Sequence, residues 1–333
     1  MKNIRKCGLK HNNDEASKSK RIIHNEKISK LINTITDDNK TLNIKIIVHI
    51  CFHNKETNSI LEDVAEMIAS LNRDFNNKAT NFNNYGKGFN TQNKELKTLY
   101  EKYISLASSA NINFILDRII YKKFNITKYT RTQRLMYNYG DINTINKLIK
   151  ITHSPSIDSD RFLNIWIVEN LGDGLLGYAT FPWEYNNTTK IIDGVVINRG
   201  VFGKNASMTD YNLNKTITHE VGHWFGLFHV FQSTINYDPH KSDFAFNYNG
   251  GALTEAETTG DCIEDTPPQN MATYGNPFND PSLWTFTEYK NTKSWHMFMN
   301  FMDYVDDKSM FMFTKDQCKK LRLMILLERP KMV

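Results

Sequence analysis

The run Thr218-His219-Glu220-Val221-Gly222-His223-Trp224-Phe225-Gly226-Leu227-Phe228-His229 fills every fixed position of H-E-x-x-H-x-x-G-x-x-H, and it restricts the fold more than any other stretch. Residues four apart share one face of a helix, so His219 and His223 can present their imidazoles to one metal ion, with Glu220 beside them. Gly226 lets the chain leave the helix, because glycine takes positive φ without steric cost, and the turn brings His229 round as a third ligand. Three histidines leave a zinc ion one open position for water, whose pKa falls from about 15.7 towards about 7 when bound. Glu220 is then placed to take that proton as a general base. H-E-x-x-H alone arises by chance in helices, but the added glycine and third histidine favour the metal reading.

A chain of 333 residues can bury a substantial core, and one catalytic domain with a short extra segment suits this length. Residues 43–53 alternate as a strand with Ile44, Ile46, Val48, Ile50 and Phe52 on one face. On the other face His49, Cys51 and His53 lack a further ligand and are read as structural. Ile60, Leu61, Val64, Met67, Ile68, Leu71 and Phe75 form the stripe of an amphipathic helix opening at Asn58 or Ser59, which should pack on the sheet. A helix from Lys94 to Ser108 and a strand from Ile112 to Tyr121 follow; residues 123–160 show no clear pattern.

Phe162 to Val168 reads as a buried strand, the glycine-rich stretch Gly172 to Ala179 as a turn into an extended piece, and Asp193 to Ile197 as the next strand. An extended substrate is expected to add to the edge at Leu176, Gly177, Tyr178 and Ala179 through main-chain bonds. Residues 231–295 carry little regular pattern, and a closing helix opens at Thr314 with Gln317 completing a capping box.

Two smaller features stay open on chemistry alone. Cys7, in the polar stretch 1–41, is either an idle cysteine or a thiolate that fills the open coordination position of the zinc and holds an enzyme latent. Asp261, Asp265 and Thr266 are either part of an acidic turn or ligands for calcium, a hard ion that prefers oxygen.

The zinc motif taken with Met299-Asn300-Phe301-Met302-Asp303-Tyr304 resembles the metzincin metallopeptidases, and within them the pappalysin family and its cytophagalysin (ulilysin-like) group. Arg5-Lys6-Cys7-Gly8, Leu71 to Phe75, Leu163 to Trp166, Leu175 to Ala179, Asp261 to Pro267 and Phe313-Thr314 carry the resemblance across most of the chain. It implies an α+β, zincin-like fold: a twisted mixed sheet with a backing helix and the active-site helix above a cleft, over an irregular lower subdomain with a Met-turn and a C-terminal helix. The implied division is a pro-segment over 1–41 and a catalytic domain over 42–333, its upper subdomain 42–228 and its lower 229–333. It also implies that Cys7 is a latency switch, that Met302 lies beneath the metal, that Tyr304 helps hold the reacting carbonyl, and that calcium sits near Asp261 and Asp265. One departure is that only Cys262 lies between His229 and Met302, where family members carry disulfide cysteines.

The expected activity is therefore that of a zinc-dependent endopeptidase acting on protein or peptide substrates, made as a zymogen. The alternatives are a catalytically silent structural or binding protein, for example one carried in a virus particle, and a zinc hydrolase acting on something other than peptides. The net charge of +5 is spread along the chain without a basic, aromatic-laced stripe, so nucleic acid is not an expected partner. No apolar run is long enough to cross a bilayer or to act as a secretory leader. With Cys7, Cys51, Cys262 and Cys318 unpaired in spacing, a cytoplasmic or virion-associated setting is expected over secretion.

Overall fold

The computed structural model describes residues 5–7, 40–51, 57–79, 92–122, 154–169, 171, 175–184, 192–203, 206–231, 261–289 and 292–333. Strand β1 is the short piece Lys6–Cys7, and β2 (Leu42–Cys51) is a long strand next to one edge of the sheet. The alternation of β2 is clean at its start, where Leu42 and Ile44 are buried and Asn43 and Lys45 exposed; from Ile46 onward both faces are buried. That pattern suits a strand covered on both sides. β3 (Ile112–Tyr121) and β4 (Phe162–Val168) flank it, both parallel. β6 (Val195–Asn198) continues in parallel beyond β4, and β5 (Leu175–Ala179) is antiparallel to β6. The six-stranded order is β1-β5-β6-β4-β2-β3.

The outer edge of β5 is the place where a substrate strand was expected, and here it carries β1, which runs parallel to it with Lys6 opposite Leu175 and Cys7 opposite Gly177. A substrate pairing with β5 must use the backbone groups that this N-terminal piece occupies.

Helix α1 (Thr57–Asp74) backs the sheet because its stripe of Ile60, Val64, Met67, Ile68 and Leu71 is buried in one cluster with Ile44, Ile46, Val48 and Ile50. Each fully buried side chain of this kind contributes roughly 1.5–3 kcal/mol relative to exposure. Helix α2 (Lys94–Ser105) opens on Asn93, whose side chain accepts from the N–H groups of Glu95 and Leu96 at 3.0 and 3.2 Å. It ends one turn earlier than its sequence pattern suggested, and Ala107 bridges to Thr314 instead.

Helix α3 (Lys215–Trp224) carries the histidine motif and is buried along its whole length. Asp74, at the end of α1, accepts from Lys215 Nζ at 2.6 Å and from Thr218 Oγ1 at 2.7 Å, so a buried ion pair ties the backing helix to the motif helix. Asp193 ties the other end. It accepts from the Trp224 indole at 3.2 Å and the Thr180 hydroxyl at 2.9 Å, and Arg329 pairs with both its oxygens at 2.7 and 2.8 Å while lying 3.8 Å from the centre of the Trp224 ring.

Below α3, β7 (Phe286–Tyr289) and β8 (Thr292–Trp295) form an antiparallel hairpin within the stretch that had shown little pattern. Its strands are only four residues each, too short to display a periodicity, and they are fixed by contacts of Trp295 with Trp284 and Phe286. Helix α4 (Lys315–Glu328) closes the chain with the Thr314/Gln317 capping box intact. Among the described residues no helix is long and apolar enough to cross a membrane.

Candidate active site

Helix α3 stops where the glycine allows it to. Gly226 has φ of +87°, its N–H bonds to His223 O at 2.8 Å, and the N–H of Leu227 reaches Gly222 O at 2.9 Å. The chain then turns back so that His229 faces the helix. The Nε2 atoms of His219, His223 and His229 form a triangle with sides of 3.0, 3.1 and 3.2 Å. His219 Nδ1 lies 2.7 Å from Phe301 O, and His223 Nδ1 lies 2.7 Å from Leu227 O. A carbonyl only accepts, so both Nδ1 atoms carry the proton and both Nε2 lone pairs point into the triangle. Burial lowers the His219 pKa well below the usual histidine value, and it lowers His223 to about 3, so both rings are neutral.

The lone pairs of His219 and His223 thus converge on each other and on His229 Nε2, and a cation among the three nitrogens relieves their repulsion. Zinc held at about 2.0–2.1 Å from each of three nitrogens in a tetrahedral set needs separations close to those seen here. The residues present therefore fit zinc. Among the described residues the group able to hold a metal is Cys7, His219, His223 and His229, whose ligand atoms all lie within 4.8 Å of one another.

Glu220, from the same helix, is buried beside the triangle. Burial raises its carboxyl to about 8, against the opposing pull of the Cys7 thiol and the Arg5 charge. The Cys7 thiol donates to Glu220 Oε2 at 3.4 Å, and the Cys7 N–H donates to the Tyr304 oxygen at 3.1 Å. The Tyr304 ring lies 5.7 Å from that of His219 and 4.9 Å from that of His229. Burial, with Cys7 next, holds its hydroxyl well above the ordinary tyrosine range, so it stays a donor.

Met302 is fully buried under α3, where a Cβ on Gly222 would sit 2.6 Å from its sulfur. The turn is held from below: Asn300 accepts from the Met302 N–H at 2.9 Å and donates to the Gln317 side chain at 2.8 Å. Asp303 is anchored by Gln269 and by the N–H of Thr273, both at 2.9 Å.

Arg5, named in the sequence only as part of a matching stretch, and Asp307, not marked there at all, are central to the arrangement. Arg5 is 2% exposed and pairs with Asp307, which is fully buried. Arg5 Nη1 also donates to Met310 sulfur at 2.9 Å, its N–H donates to the Tyr211 oxygen at 3.0 Å, and the guanidinium lies 5.0 Å from the Tyr211 ring centre. The second Asp307 oxygen accepts from the N–H groups of Leu213 and Lys215 at 2.8 and 3.2 Å, which caps the start of α3. The R-x-C-G match pointed at Arg5; nothing local marked Asp307. Phe231, stacked on His229 at 4.6 Å, and Tyr274, 6.1 Å from Tyr304, complete an aromatic wall that no motif announced.

Asp261, Asp265 and Thr266 lie apart, at the start of α4. Asp261 accepts from the Thr266 hydroxyl at 2.6 Å and the Ile263 N–H at 3.2 Å, and Asp265 accepts from the N–H of Asp316 at 2.9 Å. These contacts give Asp261 a structural role that requires no cation. His49 is likewise engaged, with Ser154 at 2.7 Å and Asn164 at 2.9 Å, and Cys51 is buried nearby; His53 lies outside the described residues.

A family model described as pregnancy-associated plasma protein-A, a peptidase family, matches residues 143–326. The chain is similar to promirolysin of Tannerella forsythia, solved in a mutant form, with a TM-score of 0.66 and 28% identity over 98% of this chain and 97% of that one. It is also similar to mature mirolysin in complex with a cleaved peptide, with a TM-score of 0.59 and 29% identity over 88% and 96%. Among curated proteins, an uncharacterized protein of Acanthamoeba polyphaga mimivirus is 28% identical over 98% of this chain, and an extracellular metalloprotease of Pyricularia oryzae is 32% identical over 49% of it. The matched stretches cover 37% and 47% of those two relatives, so the chain spans about half of their length or less.

Proposed function

The chain belongs to the pregnancy-associated plasma protein-A (pappalysin) family of peptidases, and on that premise we propose that it is a zinc-dependent endopeptidase held latent by its own N-terminal segment. The observation that carries the reading is the buried Nε2 triangle with the Glu220 carboxylate beside it. His219, His223 and His229 would hold the zinc, which when bound supplies Lewis acidity toward water and a peptide carbonyl. Glu220 accepts the proton of the attacking water and returns it to the leaving amine. The Tyr304 hydroxyl donates a hydrogen bond to the carbonyl oxygen as its charge develops. The backbone of β5 holds an extended peptide in line by strand pairing, and Met302 and Asn300 keep the floor beneath the histidines rigid.

Latency follows from competition for one groove. β1 fills the β5 edge, and Cys7 engages both Glu220 and Tyr304, so a peptide reaches them only once this segment leaves the groove, either because residues around 1–41 are cut away or because the Cys7 contacts that hold it are lost. The promirolysin similarity supports a latent form. Arg5 lies two residues before Cys7 on the same segment. When that segment leaves, Asp307 loses the Arg5 guanidinium, and a buried carboxylate that loses a cation is destabilised by several kcal/mol until another cation takes its place. A substrate arginine or lysine beside the cut bond meets that need.

The mature mirolysin complex with a cleaved peptide supports a peptide as substrate. The relative in Pyricularia oryzae is named extracellular, which supports action outside the cytoplasm over the cytoplasmic setting expected from the sequence. The contacts of Asp261 make no demand for calcium, and the reading includes none. Nothing in the site favours a silent binding protein. The test is Glu220→Ala: it should retain one zinc per chain by elemental analysis and lose at least about 10²-fold in turnover. Full turnover in that variant overturns the role given to Glu220.

A further inference from the structure

On β5, Gly177 lies directly against the side chain of Glu220. A Cβ built on Gly177 would lie 2.6 Å from Glu220 Cγ, 2.7 Å from Oε1 and 2.9 Å from Cδ. These are closer than side-chain carbons approach without one of them moving. The conflict is not one of backbone conformation, since Gly177 is absent from the positive-φ glycines and sits in regular pairing with Ile197 of β6. It is a matter of space between β5 and α3.

The two carboxylate oxygens of Glu220 have different neighbours. Oε2 accepts from the Cys7 thiol, while Oε1 lies against Gly177. When the N-terminal segment leaves, the first neighbour goes and the second stays. We infer that Gly177 is a positioning residue for the proposed reaction: its bare Cα is the wall that lets the Glu220 carboxylate lie against the edge strand, within reach of the histidine triangle. The inference rests on the general-base reading of Glu220.

The chemistry of the contact separates this role from ordinary packing. The atoms in the way belong to the end of a flexible side chain, so an added methyl is accommodated by swinging Glu220 aside while the helix and strand stay in place. The cost then falls on turnover, because a displacement of about 1 Å at a reacting group can reduce a rate by about 10²-fold. Peptide binding along the β5 backbone is unaffected, and so is zinc.

The test uses the full chain carrying Cys7→Ala. Adding Gly177→Ala should lower kcat by about 10- to 100-fold with KM within about twofold and one zinc per chain retained. A thermal-unfolding cycle makes the contact measurable without activity. Gly177→Ala should lower Tm in the Glu220 background and leave it unchanged in the Glu220→Ala background, where the methyl has room. If Gly177→Ala alone fails to fold, recovery of the fold in the double variant supports the inference, and failure of both overturns it. Unchanged kcat, or an equal Tm loss in both backgrounds, also overturns it. If the parent cleaves nothing, the general-base reading fails, while the Tm cycle still decides the contact.

Discussion

The Cys7 sulfur lies 3.4 Å from Glu220 Oε2, and the N–H of the same residue is bonded to Tyr304, so one residue of the N-terminal segment covers both groups proposed to handle protons at the site. Its thiol is also within reach of all three histidines. Cys7→Ala should therefore raise the cleavage rate of a fluorogenic peptide by the uncut, zinc-loaded chain at least about tenfold, equivalent to about 1.4 kcal/mol of latching free energy. Equal rates for the parent and the variant would show that Cys7 is idle.

Asp307 joins the pocket of Arg5 to the start of α3. Asp307→Asn keeps an acceptor for the helix N–H groups but removes the charge. In the Cys7→Ala background it should lower kcat/KM for peptides with arginine or lysine at the preferred position by at least about 30-fold, since truncating one partner of a buried charge pair costs about 2–5 kcal/mol. Peptides with an apolar residue there should change little. A preference that survives unaltered would place the basic subsite elsewhere.

His49 offers a test by pH, remote from the histidine triangle. It is buried between Ser154 and Asn164, stacked on Trp166 at 5.0 Å, and burial lowers its pKa to about 4 in spite of the Asn164 bond; the Lys122 charge adds to the lowering. The unfolded chain, with an ordinary histidine at about 6.5, binds the proton first as pH falls. Stability contributed by neutral His49 is thus present above about pH 6.5 and is lost as pH drops towards about 4. His49→Gln should shrink the fall in urea-derived unfolding free energy between about pH 7 and pH 4 by about 2–3 kcal/mol relative to the parent. An identical fall in both proteins would contradict the assignment.

How much of this was legible beforehand depended on whether the information was local. The convergence of the three histidines was fully spelled out, because a helix face and one glycine turn place His219, His223 and His229 within eleven residues. The sheet strands were readable from continuous apolar runs such as Phe162 to Val168, and α1 from its stripe. The Arg5–Asp307 pair joins positions 302 residues apart, and no periodicity reports such a contact. The same holds for the occupied β5 edge: Leu175 to Ala179 announces a strand, while its partner is two residues of an otherwise polar segment. The acidic run Asp261 to Asp265 was open between calcium and an acidic turn for a different reason. Its side chains had the right chemistry for calcium, but Asp261 turns inward to bond Thr266 and Gln317, and Asp265 caps α4.

The most direct test of the central claim is digestion of a mixed peptide library by the zinc-loaded full chain carrying Cys7→Ala, beside the same chain carrying Cys7→Ala and Glu220→Ala, with products read by mass spectrometry. The account predicts cuts by the first protein alone, gathered beside arginine or lysine, with equal zinc in both. Silence from both proteins, with zinc bound and the fold intact, would contradict it.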